Sequence, residues 1–125
     1  MIFNNCRNRD HALIFGPDAF YDIDLRHRNI RLADELQPGD TCVVASYAGE
    51  SKSHVRLSWY TLAGKTTGPD EKGAPTRVFR GPLLKTETIP KAHAAVDPRY
   101  RNIFTVKGAF KFEQAVRSVP SRWSR

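Results

Sequence analysis

The sequence predicts an α+β fold, in which a small twisted β-barrel of about five or six strands is flanked by short helices. Short apolar segments rich in β-branched and aromatic residues recur along the chain, separated by Gly, Pro and charged residues. Helical spacing of apolar residues is confined to brief stretches near the start, middle and end. Regular alternation of strand and helix is absent, which excludes a Rossmann-type sheet. The 125 residues suit one domain over 1–119, followed by a flexible basic tail at 120–125.

The first third of the chain predicts two strands and a short helix. The run ALIFG at 12–16 is apolar and closed by a Gly-Pro pair, which indicates a buried strand and a turn. A second strand is predicted at 19–25. One or two helical turns follow at 31–36, where Leu32 and Leu36 are four residues apart.

A β-hairpin is predicted next, between 41–47 and 54–63. The first segment, TCVVASY, is β-branched at its centre, and the polar AGESKS connects it to SHVRLSWYTLAGK. Alternation in this second strand turns Trp59 and Tyr60 to opposite faces of the sheet.

The second half continues the pattern of strands and ends in a helix. We expect a solvated loop at 66–75, strands at 76–81 and 83–89, helical turns at 90–96, a strand at 102–106 that Gly108 ends, and a helix at 110–119.

Charge is distributed unevenly along the chain. The formal net charge is +7, yet residues 1–72 carry 9 Lys and Arg against 10 Asp and Glu. Residues 73–125 carry 11 Lys and Arg against 3 acidic residues. A basic half of this kind favours an anionic partner such as nucleic acid, although many small basic proteins bind none.

Several functional classes are disfavoured by what the sequence omits. No segment reaches the roughly 18 apolar residues of a membrane span, so we expect a cytoplasmic protein without membrane contact. Cys6 and Cys42 lack CxxC spacing and are expected to be free thiols, and the four histidines have no metal-ligand spacing. Neither GxGxxG nor GxxxxGK[ST] occurs. We therefore expect no catalytic residue, metal or cofactor.

Aromatic residues interleaved with arginines are the strongest functional signal. Tyr47, Trp59 and Tyr100 occur among Arg56, Arg77, Arg80, Arg99 and Arg101. Rings stack on bases and guanidinium groups bind phosphates, so this mixture suits nucleic acid. For each ring taken singly, packing in a core is the better explanation.

The order of these segments resembles the EVE domains of the PUA-like superfamily, relatives of the YTH and ASCH domains. The resemblance covers about residues 12–119 and is carried by RHRNIRLADELQPGD, TCVVASYAG, RVFRGPL and GAFKFEQAVRSV. It implies a non-enzymatic reader of a modified base, flipped out of DNA or exposed in RNA and held in an aromatic pocket. A catalytic partner protein is compatible with such a reader.

The resemblance also implies roles for individual residues. Trp59 would stack on the base, with Tyr47 or Phe20 as the opposing wall. Ser46 and Asn29 would bind the edge of the base. The remaining implied contacts are Arg31 at the pocket rim and Arg80, Arg99, Arg101 and Lys107 at phosphates.

Two other functions are compatible with the same sequence. A small ASCH-like nucleoside amidohydrolase or ribonuclease would use Lys85 and Glu87 with Thr86 or Thr88, because a desolvated lysine beside a carboxylate can act as a base. Alternatively, the chain is a basic interaction subunit that binds polyanions without a pocket.

Overall fold

The computed structural model describes residues 2–4, 11–101 and 108–110, with side chains described for residues 13–101. The strands are β1 (Ile2–Asn4), β2 (Ala19–Asp24), β3 (Thr41–Ala48), β4 (His54–Thr61), β5 (Gly64–Pro69), β6 (Pro75–Arg80), β7 (Leu83–Pro90) and β8 (Gly108–Phe110). The helices are α1 (His11–Phe15), α2 (Ile30–Asp34) and α3 (Lys91–Val96), and a short 3₁₀ turn spans Glu50–Lys52.

The strands form two sheets. One sheet has the order β7-β4-β3-β1-β8, in which β1 and β3 are parallel and the other neighbours are antiparallel. The other sheet has the antiparallel order β2-β6-β5. The predicted α+β class is confirmed, whereas the strands in the described residues form two sheets rather than a closed barrel.

One long hairpin belongs to both sheets. β4 leads into β5, β6 leads into β7, and the two arms bend together where one sheet gives way to the other. Across the bend, the Thr61 N–H donates to the Pro82 carbonyl at 3.2 Å and the Ala63 N–H donates to the Arg80 carbonyl at 2.8 Å. A Cβ on Gly81 would overlap the Thr61 carbonyl oxygen. The bend therefore requires glycine because the two backbones approach so closely.

Two apolar cores cover the two faces of the larger sheet. The intersheet core comprises Phe20, Tyr21, Ile23, Ala33, Leu36, Cys42, Val44, Leu62 and Phe79, with Ile30 and Tyr60 packed against it. The α3-side core comprises Val43, Ala45, Val55, Leu57, Ala94 and Tyr100, with Tyr47, Trp59 and Ile89 packed against it. Alternation along β3 and β4 supplies both cores, because successive side chains point to opposite faces.

The structure confirms most of the elements predicted between residues 19 and 96. β2, α2, the β3–β4 hairpin, β6, β7 and α3 lie where the sequence predicts them. Cys42 is a buried free thiol, as expected. The predictions for Cys6, the strand at 102–106, the helix beyond residue 110 and the tail at 120–125 fall outside the described residues.

Three element predictions are wrong. The run at 12–16 is mostly helical, since α1 spans His11–Phe15 and Gly16 follows it with φ of +108°, a conformation that commonly ends helices. The expected loop at 66–75 is partly β5, whose Thr66 and Thr67 pair with β6. The helix predicted from residue 110 does not begin there, because Phe110 lies in β8.

None of the helices in the described part of the chain is long and apolar enough to cross a membrane.

Candidate nucleic-acid interface

Trp59 and Tyr60 point to opposite faces of the larger sheet. Trp59 is half-buried against the α3-side core. Tyr60 packs on the intersheet core, where its ring stacks on that of Phe20 with centroids 4.4 Å apart and planes 9° from parallel. Burial raises the pKa of Tyr60, against the opposing effect of a hydrogen bond with Ser58. Trp59 therefore lies on the α3 side of the sheet, the side on which Lys85 also projects.

Three lysines surround two rings on this face. We call Tyr47, Trp59, Lys52, Lys85 and Lys91 the aromatic–lysine face. Lys85 Nζ lies 4.8 Å from the centre of the Trp59 ring. Lys52 Nζ and Lys91 Nζ lie 5.3 and 5.6 Å from the centre of the Tyr47 ring. These distances are within the range of cation–π attraction.

Strand register and one backbone hydrogen bond produce this face. Trp59 on β4 is paired with Lys85 on β7, so their side chains project on the same side. Lys52 lies in the turn between β3 and β4. The Lys91 N–H donates to the Ser53 carbonyl at 2.9 Å, which holds the start of α3 beside that turn. The two ends of the face are thus fixed by backbone pairing.

The two rings of the face are separate surfaces. Tyr47 is paired with Val55, which lies four residues along β4 from Trp59. Four residues of strand correspond to about 13 Å, whereas two rings enclosing one base lie about 7 Å apart, twice the 3.4 Å stacking step. The buried Leu57 lies between the rings on the same face. Tyr47 therefore does not form the opposing wall of a pocket at Trp59.

Phe20 and Ser46 lie on the other side of the sheet from Trp59. Phe20 is 3% exposed within the intersheet core. Ser46 is paired with Arg56, and both alternate with the residues that face α3. The predicted pocket of Trp59, Tyr47 and Phe20 is thus not assembled, because Phe20 is separated from Trp59 by the sheet itself.

The predicted rim residues also belong to the intersheet side. Asn29 directly precedes α2, and its N–H donates to His27 Nδ1 at 3.0 Å. Arg31 is exposed on α2, which packs on the intersheet core through Ala33. These residues therefore do not join the aromatic–lysine face.

Two of the predicted phosphate ligands are held in ion pairs. Arg80 Nη1 lies 2.6 Å from Asp18 Oδ1. Arg99 forms two hydrogen bonds with the Asp97 carboxylate, at 2.8 and 3.2 Å, and its guanidinium lies 4.9 Å from the centre of the Tyr100 ring. Burial acts to raise the pKa of Asp97, but the hydrogen bonds from Arg99 lower it below its usual value. Both guanidiniums would have to leave a carboxylate to bind phosphate.

Of the remaining predicted cations, one is exposed and one is not described. Arg101 is exposed, and Lys107 lies outside the described residues. Sequence reasoning did not assign Lys52 or Lys91 to the interface. Their proximity to Tyr47 follows from where the β3–β4 turn and the start of α3 meet, which no local motif encodes.

The residues of the ASCH-like alternative are divided between two faces. Lys85 is paired with Trp59 and Glu87 with Leu57, so both project on the α3 side. Thr86 and Thr88 alternate with them and project on the opposite side. The side chains of Leu83–Thr88 are all exposed. The desolvated lysine–threonine cluster that this alternative needs is therefore not formed.

No group of three or more His, Cys, Asp or Glu side chains able to hold a metal ion occurs among the residues that the structure describes. Comparisons with protein-family models, curated proteins and solved structures found no match for the chain.

Proposed function

We propose that this chain is a cytoplasmic, non-enzymatic nucleic-acid-binding module of the PUA-like, EVE-domain type, which reads a modified base presented unpaired or flipped. The observation that carries the proposal is the aromatic–lysine face, on which Lys85 lies over the half-buried Trp59 ring and two more lysines flank Tyr47. The base stacks on Trp59, and the sugar-phosphate backbone of the same nucleic-acid strand passes the lysines.

The chemistry of the face suits a single strand or an extruded base. A base stacked on an aromatic side chain contributes about 1–3 kcal/mol. Lys85 is exposed and has a flexible stem, so its ammonium can leave the ring for a phosphate when a base arrives. The cation–π contact therefore keeps the ring covered in the free protein without blocking the ligand.

The second ring defines the extent of the interface. Tyr47 lies about 13 Å from Trp59 along the sheet, a distance that several nucleotides of extended strand can span. Lys52 and Lys91 lie beside Tyr47 and would contact the phosphates there. We therefore expect oligonucleotides long enough to reach both rings to bind more tightly than shorter ones.

Fluorescence anisotropy with labelled single-stranded oligonucleotides tests the proposal, using unmodified strands and a panel of modified bases. Trp59→Leu retains apolar packing but removes the stacking surface, and it should weaken binding of the preferred strand about 10- to 100-fold. Lys85→Gln should lower the slope of log affinity against log salt by about 1. Lys72→Gln, in the β5–β6 turn, is the matched control and should leave affinity almost unchanged.

Each outcome distinguishes the hypotheses. Loss of preference for a modified base in Trp59→Leu, with Lys72→Gln unaffected, supports the reader. Equal salt-sensitive binding of every strand by every variant contradicts it and leaves a basic surface without a base site. Conversion of any nucleoside or RNA by the wild-type chain would contradict the non-enzymatic assignment.

A further inference from the structure

The second feature with functional meaning is the outer edge of β7. Within the described residues, β7 is the last strand of the larger sheet and pairs only with β4. Its eight residues include two exposed leucines, Leu83 at 55% and Leu84 at 56%. An exposed edge of this length presents backbone N–H and C=O groups to any strand that can pair with it.

We propose that β7 pairs antiparallel with β7 of a second copy of this chain, with a two-fold axis at Thr86. This register places Lys85 opposite Glu87 of the second copy, and Glu87 opposite Lys85. Both residues lie in the regular part of β7, because its pairing with β4 shifts register only beyond Lys85, between Lys85 and Leu83. The strand is thus complementary to itself in charge. A two-fold axis at Thr86 gives the register in which Lys85 of one copy lies directly opposite Glu87 of the other.

Charge complementarity favours a second copy of this chain as the partner of β7. A lysine on an edge strand ordinarily discourages pairing, because it meets a hydrophobic neighbour or another lysine. Here Glu87 lies two residues beyond Lys85 and projects on the same face. A second copy therefore supplies a carboxylate opposite each lysine, whereas an unrelated apolar strand would supply none.

The pairing would join two larger sheets into one continuous sheet. Because the two-fold axis stands perpendicular to the sheet, both aromatic–lysine faces would lie on the same side. The inference is drawn from the edge of β7 and shares only Lys85 with the proposed function. Dimerisation measured without nucleic acid tests it separately from that function.

Sedimentation velocity across a concentration series tests the pairing. The wild-type chain should dimerise. Glu87→Lys and Lys85→Glu each oppose like charges at two symmetric positions and should raise the dimer dissociation constant about tenfold or more. The double variant Lys85→Glu/Glu87→Lys restores opposite charges and should dimerise like the wild type. Glu50→Lys, which makes the same charge change in the β3–β4 turn, is the matched control.

A cross-linking experiment tests the register directly. In a Cys6→Ser background, Thr86→Cys should form an intermolecular disulfide under mild oxidation, since the two sulfurs would meet at the axis. Thr88→Cys should not, because the two copies of that residue would lie about 13 Å apart. A monomeric wild type, failure of the double variant to recover dimerisation, or equal cross-linking at both positions would overturn the proposal.

Discussion

Gly81→Ala should destabilise the protein strongly, because the bend of the long hairpin has no room for a side chain. An added Cβ would overlap the Thr61 carbonyl oxygen and lie 2.9 Å from its carbon and 3.0 Å from the Ala63 nitrogen. All of these atoms are backbone, so relief requires the two arms to separate. Separation strains the two hydrogen bonds across the bend, at Thr61 and Ala63.

The expected cost follows from those contacts. Each backbone hydrogen bond contributes about 0.5–1.5 kcal/mol, and forcing extra volume into a packed site costs about 1–3 kcal/mol. The free energy of unfolding should therefore fall by about 2–6 kcal/mol, a large part of the 5–15 kcal/mol typical of a domain. With a urea slope near 2 kcal/mol/M, the midpoint should fall by about 1–3 M.

Urea unfolding followed by far-ultraviolet circular dichroism measures the change. Gly64→Ala is the matched control, because it lies on the same hairpin and a Cβ there meets nothing within 4 Å. Its free energy of unfolding should stay within about 1 kcal/mol of the wild-type value. Equal stability of the two variants would refute the close approach at the bend.

Two further predictions follow from pKa shifts. Burial raises the pKa of the Cys42 thiol to about 11, so in a Cys6→Ser background a thiol-specific reagent at pH 8 should label Cys42 only after unfolding; rapid labelling of the folded chain would contradict this. Hydrogen bonds from the Arg26 side chain and backbone lower the pKa of Asp24 from 3.8 to about 2. Because the folded value is depressed, the stabilisation is complete above the ordinary value and is lost as pH falls toward 2. Carboxyl NMR titration should give a midpoint near 2 that rises in Arg26→Ala, and an ordinary midpoint in the wild type would disprove the pairing.

Strand elements were predictable where alternation and turn residues agree. β3 and β4 show both a clear period and a polar connection, and their hairpin register follows from them. The run at 12–16 was not predictable in this way, because a short apolar stretch is compatible with either helix or strand. The strand within 66–75 was also not predictable, because Gly, Pro and charged residues occur throughout that segment. They belong partly to β5 and partly to a tight turn, where the Asp70 carboxylate accepts hydrogen bonds from the N–H groups of Lys72 and Ala74.

The candidate interface was only partly predictable. Alternation correctly separates Trp59 from Tyr60, because both lie on one regular strand. It cannot decide which residues of other elements join each face, since that depends on how the sheets pack. Phe20 stacks on Tyr60 rather than facing Trp59, and Lys91 reaches Tyr47 through the placement of α3. Tertiary packing therefore determined the composition of the interface, while local pattern determined the direction of each side chain.

The hairpin shared by the two sheets has a consequence for how the protein opens. β4 and β5 form one arm, joined through residues 62–63, and β6 and β7 form the other, joined through residues 81–82. Each arm therefore contributes one strand to each sheet. Opening of the smaller sheet would loosen the bend and transmit strain to the pairing of β4 with β7. The described β-sheets should therefore form a single cooperative unit, with amide protection lost together from Val78 and Leu57 rather than in two stages.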